Sequence, residues 1–280
     1  MAAAGMVAMA VRDERARPGL RWIDPRVGRR DVDAFGEFYA DYSPDHPMSM
    51  ARDRASRLMR LKLAIDQYHL VVGSENVTAW SSSAAHYSHG TAQTNAMAIW
   101  PILDDSARFG GWLPRERPAM FFAPFKPTPD EDRALFAPAD RLPLFEAVFH
   151  DSVVAADRWE FGLMKIVGEE RQRFARSLLY GTPTMWNLDQ RELARVGTWL
   201  KAAQEDFRIA HGWGAPVALK GFRWLTPNRL VQQASYADGR RLVANFGDRA
   251  WPGLAPDCVR VIRPRLTAVD LCPPLDPPVR

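Results

Sequence analysis

The chain has 280 residues, 47% of them apolar and 25% charged, with a formal net charge of +4. That is ordinary globular material, long enough for one large core, and it excludes a disordered or low-complexity protein. Its 37 basic and 33 acidic residues are spread without a block of like charge, so nothing in the pattern marks nucleic acid as a partner.

The N-terminal MAAAGMVAMAV lacks the basic flank of a signal peptide and is too short to span a bilayer. A soluble protein with no membrane partner is expected, its compartment and oligomeric state left open. Residues 1–28 have no clear period and read as an irregular lead-in. The stretch RRDVDAFGEFYADYSPDHPMS that follows carries Asp31, Asp33, Glu37, Asp41, Asp45 and His46 among aromatic residues, with a strand end expected at 31–33. Next, SMARDRASRLMRLKLAIDQY places Met50, Ala55, Leu58, Met59, Leu61, Leu63 and Ile65 at helical spacing, with Ser49 as N-cap. HLVVGSE then reads as a short buried parallel strand over 70–74.

Residues 106–140, rich in Pro, Gly, Phe and Arg, read as a long loop. RLPLFEAVFHDSVV (141–154) reads as a further strand, with His150 and Asp151 near its end. Helices are expected over 163–181, stopping at Gly181, and over 189–212. Strands alternating with helices favour an α/β barrel. From about 219 the chain alternates apolar and polar residues around Thr-Pro-Asn and Ala-Asp-Gly, which are hairpin signals, and it closes on a Pro-rich tail. Cys258 and Cys272 have no metal-ligand spacing, and neither demand nor exclude an oxidising compartment.

The expected architecture is therefore a partial (β/α) TIM-type barrel over 29–218 and a small antiparallel β appendage over 219–280. An eightfold barrel takes about 250 residues, more than 29–218 provides, so this stretch reads as the C-terminal part of one or as an incomplete variant.

Strand ends bearing Asp33 and Glu75, one helical crossover apart, would set two carboxylates on one rim of a parallel sheet. Such a pair is the minimum apparatus of glycoside hydrolysis, one carboxylate staying ionised and the other kept protonated. Aromatic side chains beside polar groups suit sugars, whose C–H faces stack while their hydroxyls need partners. Trp80, Trp159 and Trp186 are the stacking candidates, each with core packing as the competing role. His86 and His89, in HYSHG, are placed to donate hydrogen bonds to hydroxyls. No carboxylate completes a zinc set with them, so no metal is expected. His150 and Asp151 bind substrate, position the nucleophile or cap a strand.

DVDAFGEFYADYSPDHPMS, LVVGSENVTAW, LPLFEAVFHDSVV with Trp159 shortly after, LLYGTPTMWNLD and GFRWLTPNRLVQQASYADGRRLVANFGD occur in that order. Together they resemble retaining glycoside hydrolases of the endo-α-N-acetylgalactosaminidase type, families 101 and 129 and their bacterial relatives, over residues 29–248. The resemblance implies a carbohydrate substrate and no cofactor. It implies that Asp33 in DAFG is the nucleophile and Glu75 in GSE the acid/base. It also implies an apolar strand before Asp33, where RVGRRDV stands instead, and hence an N-terminally truncated barrel. Two other readings stand beside it: a noncatalytic barrel remnant that binds glycan, and a metal-dependent hydrolase built on His86 and His89.

Overall fold

The computed structural model describes residues 33, 34, 36, 38–90, 96–111, 119–212 and 216–274. The expected lead-in over 1–28, residues 31 and 32, and the end of the Pro-rich tail lie outside the described residues. The chain divides into two units, Met1–His89 and Gly90–Arg280.

In the first unit, α1 (Met50–Asp66) begins where the sequence places it, Ser49 accepting a hydrogen bond from the Arg52 N–H through its side chain. Its packing differs from the simple amphipathic expectation. Arg57 and Leu61 are buried, whereas Met50, Met59 and Leu63 are exposed. Arg57 can face inward because Asp53, one turn earlier, takes its Nη2 at 2.8 Å and its Nε at 3.2 Å, and the Phe38 ring lies 5.6 Å from its guanidinium.

The strand after α1 is shorter than expected. β1 is Gly73–Glu75, paired in parallel with β2 (Tyr87–His89) in the register Gly73↔Tyr87 and Glu75↔His89. Leu70 and Val71 are exposed, Val71 at 77%, instead of buried. On this approach the Leu70 N–H is still held by the Ala64 carbonyl of α1 at 3.1 Å and the Val72 N–H by the His86 ring at 3.1 Å, so neither donates to a neighbouring strand.

The second unit begins with α2 (Ala96–Asp104), and short helices follow where a long loop was expected over 106–140: α3 (Ser106–Phe109), α4 (Ala119–Phe122) and α5 (Pro129–Leu135). α5 starts on a capping box, the Thr128 hydroxyl accepting from the Glu131 N–H and the Glu131 carboxylate accepting from the Thr128 N–H. Phe109, Phe125, Leu135, Phe136, Phe161 and Ile166 close a core over this region.

The expected strand at 141–154 is instead α6 (Leu144–Phe149) followed by β3 (Val154–Ala156). Phe145 and Phe149, one turn apart, meet with ring centroids 5.0 Å apart, as a helix brings them. α6 turns Glu146 into the interior and leaves Leu144 and Val148 exposed at 65% and 63%, the reverse of the usual pattern.

α7 (Glu170–Tyr180) starts later than expected, after two short 3₁₀ turns, but stops on Gly181 in the left-handed conformation as read from the sequence. α8 (Gln190–His211) follows, capped by Asp189 on the Glu192 N–H at 2.8 Å.

The antiparallel expectation for the C-terminal part holds. β4 (Leu219–Trp224), β5 (Val231–Tyr236), β6 (Arg241–Asn245), β7 (Val259–Ile262) and β8 (Val269–Leu271) pair in sequence order. Alternation along β5 and β6 sorts the two faces. Ala234, Tyr236, Leu242 and Ala244 pack with Phe174, Leu178 and Trp199 of α7 and α8, while Val231 and Val243 pack with Leu254 and Cys258. Val259 pairs with Leu271, so Cys258 and Cys272 flank that pair and form a disulfide. The sequence left this pairing open. The molecule is thus a mixed α/β protein with a parallel strand pair and a five-stranded antiparallel sheet.

Candidate active site

Asp33 sits in a turn with Ala34, not at the tip of a described strand, and both residues are buried. Its carboxylate is gripped by Arg60 of α1, Nη2 donating to Oδ1 at 2.9 Å and Nε to Oδ2 at 3.4 Å. The third guanidinium nitrogen, Nη1, donates to the Ser56 hydroxyl at 3.0 Å. The Ala34 carbonyl accepts from the Ser81 hydroxyl at 2.5 Å and from the Thr78 hydroxyl at 3.2 Å. Thr78 and Ser81 belong to the loop that follows Glu75, so the turn bearing Asp33 is stitched directly to the segment bearing Glu75.

Glu75 ends β1, half-buried, with His89 as its register partner on β2. Residues opposed in a sheet share a face, which puts Tyr87 and His89 on the same face as Glu75. Their rings stack with centroids 6.4 Å apart. Gly73 makes room for this arrangement, since a Cβ there would lie 3.0 Å from the Tyr87 ring. Burial pushes the Tyr87 hydroxyl up to about 12, so it stays protonated and able to donate. The Nδ1 of His89 is buried and has no partner among the described residues. His86 is exposed and its Nδ1 accepts from Val72, so its ring serves the entry to β1. Trp80 packs edge-to-face on Phe38 at 5.0 Å, with the Arg54 guanidinium 5.9 Å from its ring.

The remaining sequence-derived candidates lie in the second unit, in two places. Trp186, Phe121, Phe122, Asn187, Glu192 and Arg195 line a small cleft open to solvent. Trp159 lies against Phe121, ring centroids 5.1 Å apart, and the Asn187 side-chain amide donates to the Trp159 and Phe121 carbonyls at 2.9 and 3.1 Å. His150 caps the end of α6 and contacts the Val217 carbonyl through Nδ1 at 2.7 Å, packed against Tyr236 and His211. Burial lowers its pKa, and burial lowers that of His211 further, to about 3. Asp151 is exposed and accepts from the Ser152 hydroxyl at 2.9 Å.

Sequence reasoning missed a buried ionic cluster beside β3. Asp157 takes Nη2 of Arg173 at 3.1 Å, with Nη2 of Arg176 at 3.8 Å, and Arg173 is only 1% exposed. Arg173 also donates to the carbonyls of Phe161, Gly162 and Leu163, pinning the 3₁₀ turns. Arg141 donates to the Leu135 carbonyl at 2.5 Å, and burial lowers its pKa to about 10. Burial raises Glu146 to about 7, with the charge of Asp157 adding to the rise. The available signal was charge inside otherwise apolar runs, as in RLPLFEAVF and RFARSLL. Among the described residues no three His, Cys, Asp or Glu side chains are placed to hold a metal ion. No helix among them is long and apolar enough to cross a membrane.

A family model described as glycosyl hydrolases related to the GH101 family, GH129, matches residues 30–235. The chain belongs to this family. GH129 membership agrees with the resemblance read from the sequence motifs. Among solved structures, the chain is similar to the α-N-acetylgalactosaminidase NagBb of Bifidobacterium bifidum. The ligand-free form shares 17% identity at a TM-score of 0.46, and the GalNAc complex 16% at 0.45, each over 77% of this chain. The chain spans only 28% and 29% of the length of those two structures. No curated protein matches it.

Proposed function

We propose that the chain carries the catalytic carboxylates of a retaining glycoside hydrolase acting on an α-linked N-acetylgalactosaminide. Residues 29–218 form the C-terminal part of a (β/α) barrel domain and 219–280 its β appendage. Family membership supports the reaction class. The observation that carries the residue assignment is the hydrogen bonding of the Ala34 carbonyl by Ser81 and Thr78, because it ties the Asp33 turn to the loop that follows Glu75.

In this reading Asp33 attacks the anomeric carbon as the glycosidic C–O bond breaks, and Glu75 gives its proton to the leaving oxygen. Water then attacks the anomeric carbon of the glycosyl ester, giving its proton to Glu75 and releasing the Asp33 carboxylate. No organic cofactor enters the scheme. Retaining geometry requires the two carboxyl groups about 5 to 5.5 Å apart in the working complex. His89 and His86 supply hydrogen bonds to sugar hydroxyls, and Trp80 a stacking face. Within the second unit, taken by itself, Trp159 and Trp186 offer stacking faces for a sugar, and His150 with Asp151 polar contacts.

The test is turnover of a panel of aryl α- and β-glycosides, N-acetylgalactosaminides included, by the purified chain beside Asp33→Asn and Glu75→Gln. Turnover by the parent and its loss in both variants supports the reading. A folded chain without turnover, or full activity in Asp33→Asn, refutes it. A noncatalytic, glycan-binding role is the second reading, favoured by one observation: the exposed Leu70 and Val71 leading into β1 leave apolar surface next to the strand that carries Glu75.

A further inference from the structure

Arg60 has no role in the scheme above, yet it is the residue most tightly engaged with Asp33. All three of its guanidinium nitrogens are committed, Nη2 and Nε to the two carboxylate oxygens and Nη1 to Ser56 one turn earlier on α1. A planar fork bonded to both oxygens fixes the plane of a carboxylate as well as its position, which a single donor cannot do. The other arginine on this part of α1, Arg57, is occupied by Asp53, and Asp53 is in turn held by the Tyr39 N–H at 3.1 Å. The pairing is therefore sorted: Arg57 braces α1 and Arg60 serves the Asp33 turn. Ser81 and Thr78 hold the same turn from its carbonyl side. The carboxylate is oriented by a helix residue while its backbone is anchored to the loop after Glu75.

We infer that Arg60 is the positioning residue of the nucleophile, aiming the Asp33 carboxylate at the anomeric carbon; the inference rests on the reading of Asp33 as nucleophile. A carboxylate offers about four lone-pair sites, and the fork occupies one on each oxygen, leaving each oxygen a site free for attack. When the ester forms, one oxygen becomes the bridge to the sugar and the other a carbonyl that still accepts from the fork. When water cleaves the ester, both oxygens return to it. Arg60 thus holds the same group through both steps without itself gaining or losing a proton, as its permanent charge requires.

The experiment compares kcat and KM for an aryl α-N-acetylgalactosaminide in the parent, Arg60→Ala, Arg60→Lys and Asp33→Asn, with thermal melts as a check on folding. A misaimed nucleophile costs about 100-fold in rate, so kcat of Arg60→Ala falls by about that factor while KM stays within about threefold. Arg60→Lys, which keeps the charge without the fork, recovers only part of the loss. Guanidinium ion added at non-denaturing concentration restores turnover to Arg60→Ala and not to Asp33→Asn, a rescue that a purely structural arginine does not give. If Asp33→Asn is dead while folded Arg60→Ala or Arg60→Lys keeps the parent kcat, the positioning role fails and Asp33 stands. If Arg60→Ala is slow but guanidinium does not restore it, the positioning role also fails. A parent without turnover, or a fully active Asp33→Asn, sinks the nucleophile reading and the role of Arg60 with it.

Discussion

Replacing Glu146 by Gln should stabilise the protein increasingly as pH rises from about 4.5 to 7. Glu146 points from α6 into the interior, its Oε1 without a partner among the described residues. Burial raises it from an ordinary 4.5 to about 7, with Asp157 opposing its charge and Arg141 and Arg176 favouring it. Tyr180 and Tyr236 are the other titratable groups in range, both raised by burial and neutral throughout the working pH range. Between about pH 4.5 and 7 the folded chain holds a proton at Glu146 that the unfolded chain has released. Stability therefore falls as pH rises through this window. At about 1.4 kcal/mol per pH unit, the penalty above pH 7 comes to about 3 kcal/mol. Gln mimics the protonated acid and removes it. Urea unfolding of parent and Glu146→Gln at pH 5 and pH 8 reads the difference directly. Titrations shared by the two proteins cancel, as does any fixed cost of burying the amide. The effect of Glu146→Gln at pH 8 should exceed that at pH 5 by about 2 to 3 kcal/mol in the stabilising direction. An equal effect at both values, or a less favourable one at pH 8 than at pH 5, would refute the reasoning.

Other consequences follow from the packing of the second unit. Gly181 has φ +71, and a Cβ there would lie 2.1 Å from Nε2 of His150. Gly181→Ala therefore meets both backbone strain and a clash, and should cost more than about 1 kcal/mol in chemical denaturation; a neutral variant contradicts the packing at the end of α7. The Cys258–Cys272 bridge closes a span of 14 residues, for which chain entropy allows up to about 3 kcal/mol. The β7–β8 ladder already restrains those ends, so the double Ser variant should lose part of that amount, read as a lower Tm that reductant reproduces in the parent. If reductant leaves the Tm of the parent unchanged, the bridge does not stabilise the fold.

The features legible in the sequence were those with a local physical signature. Ser49 before a periodic run gave the start of α1, Gly181 gave the end of α7, and Thr-Pro-Asn and Ala-Asp-Gly between alternating runs gave the hairpins of the C-terminal sheet. Glu75 closing a short parallel strand was readable from HLVVGSE, although only Gly73–Glu75 joins the ladder. The run 141–154 misled because a short apolar segment fits a buried strand and a helix equally well, and α6 then exposes Leu144 and Val148 against expectation. Residues 106–140 hid their helices because segments of four to seven residues are too short to display a period. Nothing local announces Arg60, which meets Asp33 across 27 positions of sequence. The same holds for Arg173 and Asp157, 16 positions apart, and for the disulfide, which depends on the register of β7 and β8. Long-range pairings are set by tertiary packing, and the sequence reveals them only as charge or sulfur in unexpected places.

The central claim is that Asp33 becomes glycosylated during turnover. The most direct measurement is trapping with a fluorinated, activated N-acetylgalactosaminide that forms the ester quickly and hydrolyses it slowly, followed by peptide mass spectrometry. The account predicts one sugar per chain, on the peptide containing Asp33, with Glu75 unlabelled. Label on another carboxylate, or a chain that turns over substrate yet carries no label, would contradict it.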